Sequence, residues 1–207
     1  MFTVSSAYAT AYSEIRSYVK TIITESDLNP ASTISGSGIV ISPGYILTVG
    51  HVIPEGSDKF SIYTINRESG GITKLKILKI DRELDLALLV GDIPCPCATL
   101  SKKKVYIDET VYSVGFPLYT SYHTQFVSTG IIQEIKIGAL ITSLSSMPGS
   151  SGGGVFINED GYELIGVVMA VGIYGKEAQQ QLIGWMTFIS GPTQIRSFLA
   201  NTHLSNL

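Results

Sequence analysis

Charge is scarce in this 207-residue chain: Asp, Glu, Lys and Arg make up 15% of it, against about 25% of an average soluble domain. The little charge there is nearly cancels, 17 acidic residues against 14 basic ones for a net charge of −3. Without a basic field to attract phosphates, nucleic acid and anionic lipid are not expected partners. Long apolar runs are missing too. The most apolar stretch, residues 164–173, is about ten residues long and broken by glycines. A membrane-spanning helix needs about 20 residues, so no membrane span is expected and the stretch reads as a buried strand pair. The N-terminal sequence MFTVSSAYATAYSEIR has no basic start followed by an apolar block, so it carries no recognisable secretory signal and a cytoplasmic location is expected.

Cysteine is almost absent. Cys95 and Cys97 flank Pro96 and are the only two. A bridge across one intervening residue is strained, so the pair suits a reducing compartment or a fold that needs no disulfide. No second Cys/His pair stands at ligand spacing, so neither a metal nor another cofactor is expected. Apolar residues are plentiful by contrast, at 44%, and a chain of this composition can bury a full core.

Residues 7–24 read as an amphipathic helix. Tyr8, Tyr12, Ile15, Val19 and Ile22 are spaced 4, 3, 4 and 3, which draws one apolar stripe. Such a helix packs either on its own domain or against a second subunit, giving a homo-oligomer. Asp27 to Ser35, with Asn29-Pro30, is a linker. Beyond it the pattern turns to short β-type runs at 38–42, 45–49, 60–65, 72–80 and 84–90, then 111–115, 126–132, 135–143, 154–157, 163–171 and 181–188. Frequent turn residues between them predict an all-β barrel or sandwich architecture. Residues 93–104, with two prolines and three lysines, form the crossing between halves. Pro192 opens a short C-terminal helix with Ile195, Phe198 and Leu199 on one face.

Three local patterns carry chemistry. Thr48-Val49-Gly50-His51-Val52 ends an apolar strand. Asp85-Leu86-Ala87-Leu88-Leu89 begins another. Pro148-Gly149-Ser150-Ser151-Gly152-Gly153-Gly154 is glycine-rich around a serine pair. A serine hydroxyl becomes a useful nucleophile only beside a base such as His, itself oriented by a carboxylate. The reaction also needs N–H donors where the oxyanion forms, and glycines let a backbone turn to present them. His51, Asp85 and Ser151 occur in that order, separated by 34 and 66 residues.

On these residues the chain resembles the trypsin-like serine proteases, and within them the HtrA/DegP branch. Gly36-Ser37-Gly38 through Thr48 and His51-Val52 is similar to that branch's opening hairpin and histidine motif, and Asp85 to Leu89 to its aspartate motif. Val114-Gly115-Phe116-Pro117 resembles its turn into the second barrel, and Pro148 to Gly153 its serine motif. The resemblance covers residues 34–200 or so and implies two six-stranded antiparallel β-barrels with the site in the cleft between them. It implies an N-terminal segment over 1–33, a first barrel over 34–94, and the crossing, second barrel and C-terminal helix over 95–207. It further implies Ser151 as nucleophile, His51 as general base, Asp85 as orienting carboxylate and the N–H groups of Gly149 and Ser151 as oxyanion hole, acting on a polypeptide substrate. Ser150 is the neighbouring rival, but the family's reactive serine immediately precedes Gly-Gly, which selects Ser151.

The departures from the family are informative. Digestive trypsin relatives carry an Asp before the nucleophile to pair with a newly cut amino terminus; here Ser150 stands there, so that activation is not expected. Ser145 occupies the place where an Asp sets preference for Lys or Arg. Val168 occupies the place of the His that viral relatives use to select Gln. Matching to the family puts Ser145, Ser146 and Met147 on the floor of the specificity pocket and Val168, Met169 and Ala170 on its wall. None is charged, so small to medium apolar residues before the cut are expected, with Glu163 and Glu177 as the acids that could still reach in. The PDZ domain that the branch usually carries after the protease part is not expected here. Two rivals remain. Gly149 to Gly153 also fits the Gly-x-Ser-x-Gly elbow of α/β-hydrolases, with Asp160 and His203 as partners, though no alternating β/α units surround it. The second is a protease-fold binding or structural module whose triad is out of geometry. His123 is expected in a surface loop.

Overall fold

The computed structural model describes residues 12–29, 32–56, 59–66, 69–117, 124–174 and 181–207. Strands β1 (Val19–Ser26), β2 (Thr33–Ser42), β3 (Tyr45–Thr48), β4 (Phe60–Ile65), β5 (Ile72–Asp81) and β6 (Leu86–Val90) close into one barrel in the order β1-β2-β3-β6-β5-β4. Strands β7 (Thr110–Gly115), β8 (Phe126–Lys136), β9 (Ala139–Thr142), β10 (Gly154–Asn158), β11 (Tyr162–Tyr174) and β12 (Gln181–Ser190) close into a second, in the order β10-β11-β12-β9-β8-β7. All pairings are antiparallel. Closure leaves no barrel edge unpaired. The all-β, two-barrel architecture is the one the sequence predicts.

The helix expected over 7–24 is not what forms. Helix α1 covers only Ser13–Tyr18, and Val19–Ser26 is the first stave of the first barrel. Val19, Thr21, Ile22, Ile23 and Thr24 are β-branched, which restricts them in a helix and suits a pleated surface. The stripe misled because β1 is buried on both faces, Val19, Thr21, Ile22, Ile23 and Thr24 alike, so no alternation shows. Residues 7–11 lie outside the described residues. Helix α1 packs on its own chain. Ile15 is fully buried in the main core, and Arg16 Nη1 donates to the Gln125 carbonyl at 2.8 Å while Gln125 Nε2 returns a bond to the Arg16 carbonyl at 2.8 Å.

Two further differences are local. Residues 164–173 belong to one long strand, β11, rather than a pair. Strand β8 runs unbroken to Lys136 through a bulge between Ile132 and Glu134, and the hairpin turn falls at Ile137-Gly138, where Gly138 has φ +91°. Cys95 and Cys97 are joined by a disulfide, with Cα atoms 4.7 Å apart, inside the usual 4.4–6.8 Å window. Pro96 fixes φ between them and brings the two Cα atoms close, so the pair gives no ground for a reducing compartment.

The larger core cluster crosses from one barrel to the other. It joins Ile22, Leu47 and Leu88 of the first barrel to Phe156 and Leu164 of the second and to Ile195 and Phe198 of helix α2 (Pro192–Leu199). A smaller cluster fills the second barrel with Val111, Ile132, Val155, Ile165 and Ile189. The shared cluster fixes how the barrels meet and therefore where the loops between them converge. Among the described residues no helix is long and apolar enough to cross a membrane.

Tyr18 seals the seam beside Phe156, their rings 6.0 Å apart, and its hydroxyl donates to Glu14 Oε1 at 2.8 Å. Burial, helped by that carboxylate, pushes its pKa up to about 12. The unfolded chain ionises this phenol near the ordinary value of about 10. Its contribution to stability is therefore complete below pH ~10 and lost as pH rises towards ~12. Urea unfolding of Tyr18→Phe against the parent across that window should show a shallower alkaline loss in the variant; equal slopes would show that Tyr18 is not so held.

Candidate active site

After β3, Val49 leads into a single 3₁₀ turn, Gly50–Val52, that presents His51. Facing it, Asp85 ends the β5–β6 turn with φ +51°, a left-handed conformation that Asp tolerates better than most side chains. That turn points the carboxylate back at the histidine. Asp85 Oδ1 accepts the His51 backbone N–H at 2.8 Å, and Oδ2 lies 2.7 Å from His51 Nδ1. The backbones lock as well: Gly50 N–H donates to the Asp85 carbonyl at 3.0 Å, and Arg82 Nη1 donates to the Gly50 carbonyl at 2.6 Å. The approach is close at Gly50, where a Cβ would stand 3.1 Å from Asp85 Oδ1. With Nδ1 donating to the carboxylate, Nε2 of a neutral imidazole is left as the acceptor. The imidazole is 48% exposed and the carboxylate 24%, so the ring is open to solvent while the carboxylate is the more shielded of the two.

The serine turn is held peptide by peptide. Ser150 N–H donates to the Met147 carbonyl at 2.9 Å, Gly153 N–H to the Ser150 carbonyl at 2.8 Å, and Gly152 N–H to the Val168 carbonyl of β11 at 2.8 Å. Gly149 and Gly152 take φ of +94° and +85°, as a turn this tight demands. Strand β2 of the first barrel supplies the rest. Ser37 N–H donates to the Ser151 carbonyl at 2.7 Å, and Ser37 Oγ donates to the Gly149 carbonyl at 2.9 Å. The histidine and serine turns meet across Gly36, where a Cβ would fall 2.6 Å from Val52 Cγ1 and 3.0 Å from the Ser151 carbonyl. Among the described residues the N–H groups of Gly149 and Ser151 have no hydrogen-bond partner, so two donors remain free on the serine turn.

The structure hydrogen-bonds His51 to Asp85 and places Ser151 beside the histidine turn; no hydrogen bond joins Ser151 Oγ to His51 among the described residues. Ser150 is nine-tenths buried, and its Oγ accepts the Met147 N–H at 3.3 Å inside the turn. Behind this turn lies a pocket of about 250 Å³ at the mouth of the second barrel, lined in part by Phe126, Ser128, Ser145, Met147, Ser150 and Val168. Ser146 turns away, its Oγ accepting from Thr187 Oγ1 at 3.0 Å. Met169 packs against the larger core and Ala170 is exposed. Glu163 is engaged at the crossing segment by Ser101 Oγ, 2.6 Å, and Lys103 Nζ, 3.5 Å. Glu177 and His123 lie outside the described residues. The hydrolase elbow fails on fold: two barrels replace its α/β sheet, Asp160 stands in an exposed turn, and His203 lies against Tyr45, ring centroids 4.7 Å apart. Ser37 and Arg82 were not singled out by sequence; their side chains bond to backbone atoms of distant residues, which leave no side-chain pattern to read.

Comparison with known proteins decides the family. The trypsin-like peptidase domain matches residues 36–167, from the glycine facing the histidine turn to the strand behind the serine. The chain belongs to the trypsin-like peptidases. Glutamyl endopeptidase of Staphylococcus aureus (strain MW2) is 28% identical to this peptidase over 156 residues, 67% of the chain and 47% of that protein. The chain thus spans about half the length of the curated relatives it matches. Among solved structures, the Rv3671c protease from M. tuberculosis in its active form superposes with a TM-score of 0.73 at 18% identity, covering 92% of this chain and 83% of that one. The serine endoprotease from Yersinia pestis does so with a TM-score of 0.71 at 25% identity, covering 91% and 65%.

Gly152 tests this arrangement. A Cβ there would stand only 2.3 Å from Thr48 Oγ1 and would overlap the Ser37 carbonyl, at a φ of +85°. Gly152→Ala should cost the peptidase about 2–4 kcal/mol through overpacking and strain, read by urea denaturation. A loss under about 1 kcal/mol would show that the two barrels are not so closely apposed here.

Proposed function

We propose that the chain is a serine endopeptidase that works through an acyl-enzyme on Ser151. The observation that carries this is the pair of hydrogen bonds between Asp85 and His51, which leaves Nε2 as an acceptor beside a serine turn with two N–H groups that have no partner among the described residues. Ser151 Oγ attacks the scissile carbonyl carbon and its proton passes to His51 Nε2. Asp85 stabilises the imidazolium that results. The oxyanion accepts hydrogen bonds from the Gly149 and Ser151 N–H groups. The C–N bond then breaks as the amine takes the proton from Nε2, and water repeats the sequence on the acyl ester. Catalytic hydrogen bonds are often long before substrate binds, which suits the Ser151 hydroxyl as found. Within the family we propose the HtrA/DegP branch, which the motifs from Gly36 to Gly153 support.

For specificity we propose an uncharged residue of small to medium size before the cut. Of the six residues expected to form the pocket, Ser145, Met147 and Val168 line it and none is charged; a buried ion without a partner costs several kcal/mol, whereas a Val or Leu side chain gains about 1.5–3 kcal/mol on burial. The staphylococcal relatives are glutamyl endopeptidases by name, which makes Glu the principal competitor; the hydroxyl of Ser145, which lines the pocket, is a donor a carboxylate could use. Cleavage-site profiling on an unbiased peptide library separates the two. Cutting after Val, Leu, Met or Ala supports the first, cutting after Glu carries the relatives' preference over, and cutting after Lys or Arg contradicts both.

A second reading, a silent protease-fold binding module, is favoured by the missing Ser151–His51 hydrogen bond. Turnover of the same library decides. Ser151→Ala should lower the rate by about 10³-fold or more; a parent no faster than this variant would establish the silent module.

A further inference from the structure

Ser37 is fully buried and every polar atom it has is committed to the seam between the barrels. Its N–H holds the Ser151 carbonyl at 2.7 Å and its carbonyl accepts Thr48 Oγ1 at 2.6 Å. Its hydroxyl donates to the Gly149 carbonyl at 2.9 Å and accepts the Phe116 N–H at 2.9 Å. A core-forming role would need none of this, because an apolar side chain would fill the space without polar atoms to satisfy. The bond to Gly149 is the telling one. The peptide joining Gly149 to Ser150 is pinned at both ends, its carbonyl by Ser37 Oγ and its N–H by the Met147 carbonyl. The peptide after Ser151 is pinned likewise, by Ser37 N–H and by Val168. The Ser151 N–H lies on the peptide between these two fixed planes and the Gly149 N–H on the peptide that leads into the first; among the described residues neither has a partner of its own.

We infer that Ser37 is a positioning residue for the oxyanion hole: its hydroxyl, fixed in turn by Phe116, sets the angle at which Gly149 and Ser151 present their N–H groups. Gly149 at φ +94° is where this matters, since glycine crosses between backbone regions with little steric resistance and an unheld turn would let its N–H swing away. The hydroxyl touches neither substrate nor reacting atoms and acts only through the turn. This inference rests on the peptidase reading above, because it assigns the two N–H groups to an oxyanion.

The test compares Ser37→Ala with Thr142→Val. Thr142 is a second fully buried hydroxyl that donates to a carbonyl, that of Thr187 at 3.1 Å, and serves as the structural control. An oxyanion is bound only in the transition state, so the loss should fall on kcat with KM unchanged. Ser37→Ala should lower kcat about tenfold to a hundredfold, short of the loss of a whole oxyanion donor, with KM within about twofold. The inhibition constant of a peptidyl boronate, whose adduct is tetrahedral, should rise by the same factor. Thr142→Val, at a similar loss of thermal stability, should leave both unchanged. Amide hydrogen exchange over residues 147–153 gives a readout independent of turnover: faster in Ser37→Ala, unchanged in Thr142→Val. Equal kcat in Ser37→Ala and parent, or a change in KM alone, overturns the inference. So does unaltered exchange in the turn. If the parent proves inactive, the peptidase reading fails by itself, and the exchange rates still decide whether Ser37 holds the turn.

Discussion

The site depends on a polar seam one residue wide. Ser37 of β2 reaches across from the first barrel and fastens the serine turn of the second at two carbonyls, while Thr48 and Phe116 fasten Ser37. The histidine turn begins directly after Thr48, so the strand end that leads to His51 and the loop that carries Ser151 share one hydrogen-bond set. Each of these buried groups has a partner, and leaving any one unmet would cost about 1–3 kcal/mol. That penalty fixes the register between the barrels more sharply than apolar packing, which is non-directional.

Apolar packing supplies the adhesion. The larger cluster runs through both barrels and under α2, so neither barrel owns its core completely and the cleft is a product of the whole fold. Glycines admit the close approach: Gly36 lets Val52 and the Ser151 carbonyl meet, and Gly152 lets the serine turn lie on Ser37 and Thr48. At both places function requires the two backbones to come nearer than a side chain would allow, which is why the serine motif is rich in glycine as well as in donors.

The sequence made the barrel architecture legible because most strands are bounded by turn residues and alternate in polarity. It failed at β1, where burial on both faces erased the alternation and left a spacing that mimics a helix, and at β8, where a bulge broke the pattern inside a continuous strand. The pairing of His51 with Asp85 and the nearness of the Ser151 turn were legible because each residue stands in a recognisable local motif. The left-handed turn of Asp85, which aims both its oxygens at His51, was not: any Asp in a turn reads the same. Ser37 was invisible as a holder of the serine turn, since its partners lie 112 and 79 residues away along the chain and are backbone atoms. The specificity pocket was the least legible part, because consecutive positions on β11 diverge, Val168 lining a pocket while Met169 enters the core.

The central claim is that Ser151, driven by His51, is a nucleophile. The most direct measurement is reaction of the folded protein with a fluorophosphonate, followed by intact mass and peptide mapping. The account expects a single adduct, on Ser151, formed far faster than in His51→Ala. No adduct under conditions that label an active serine hydrolase, or an adduct on Ser150, would contradict it.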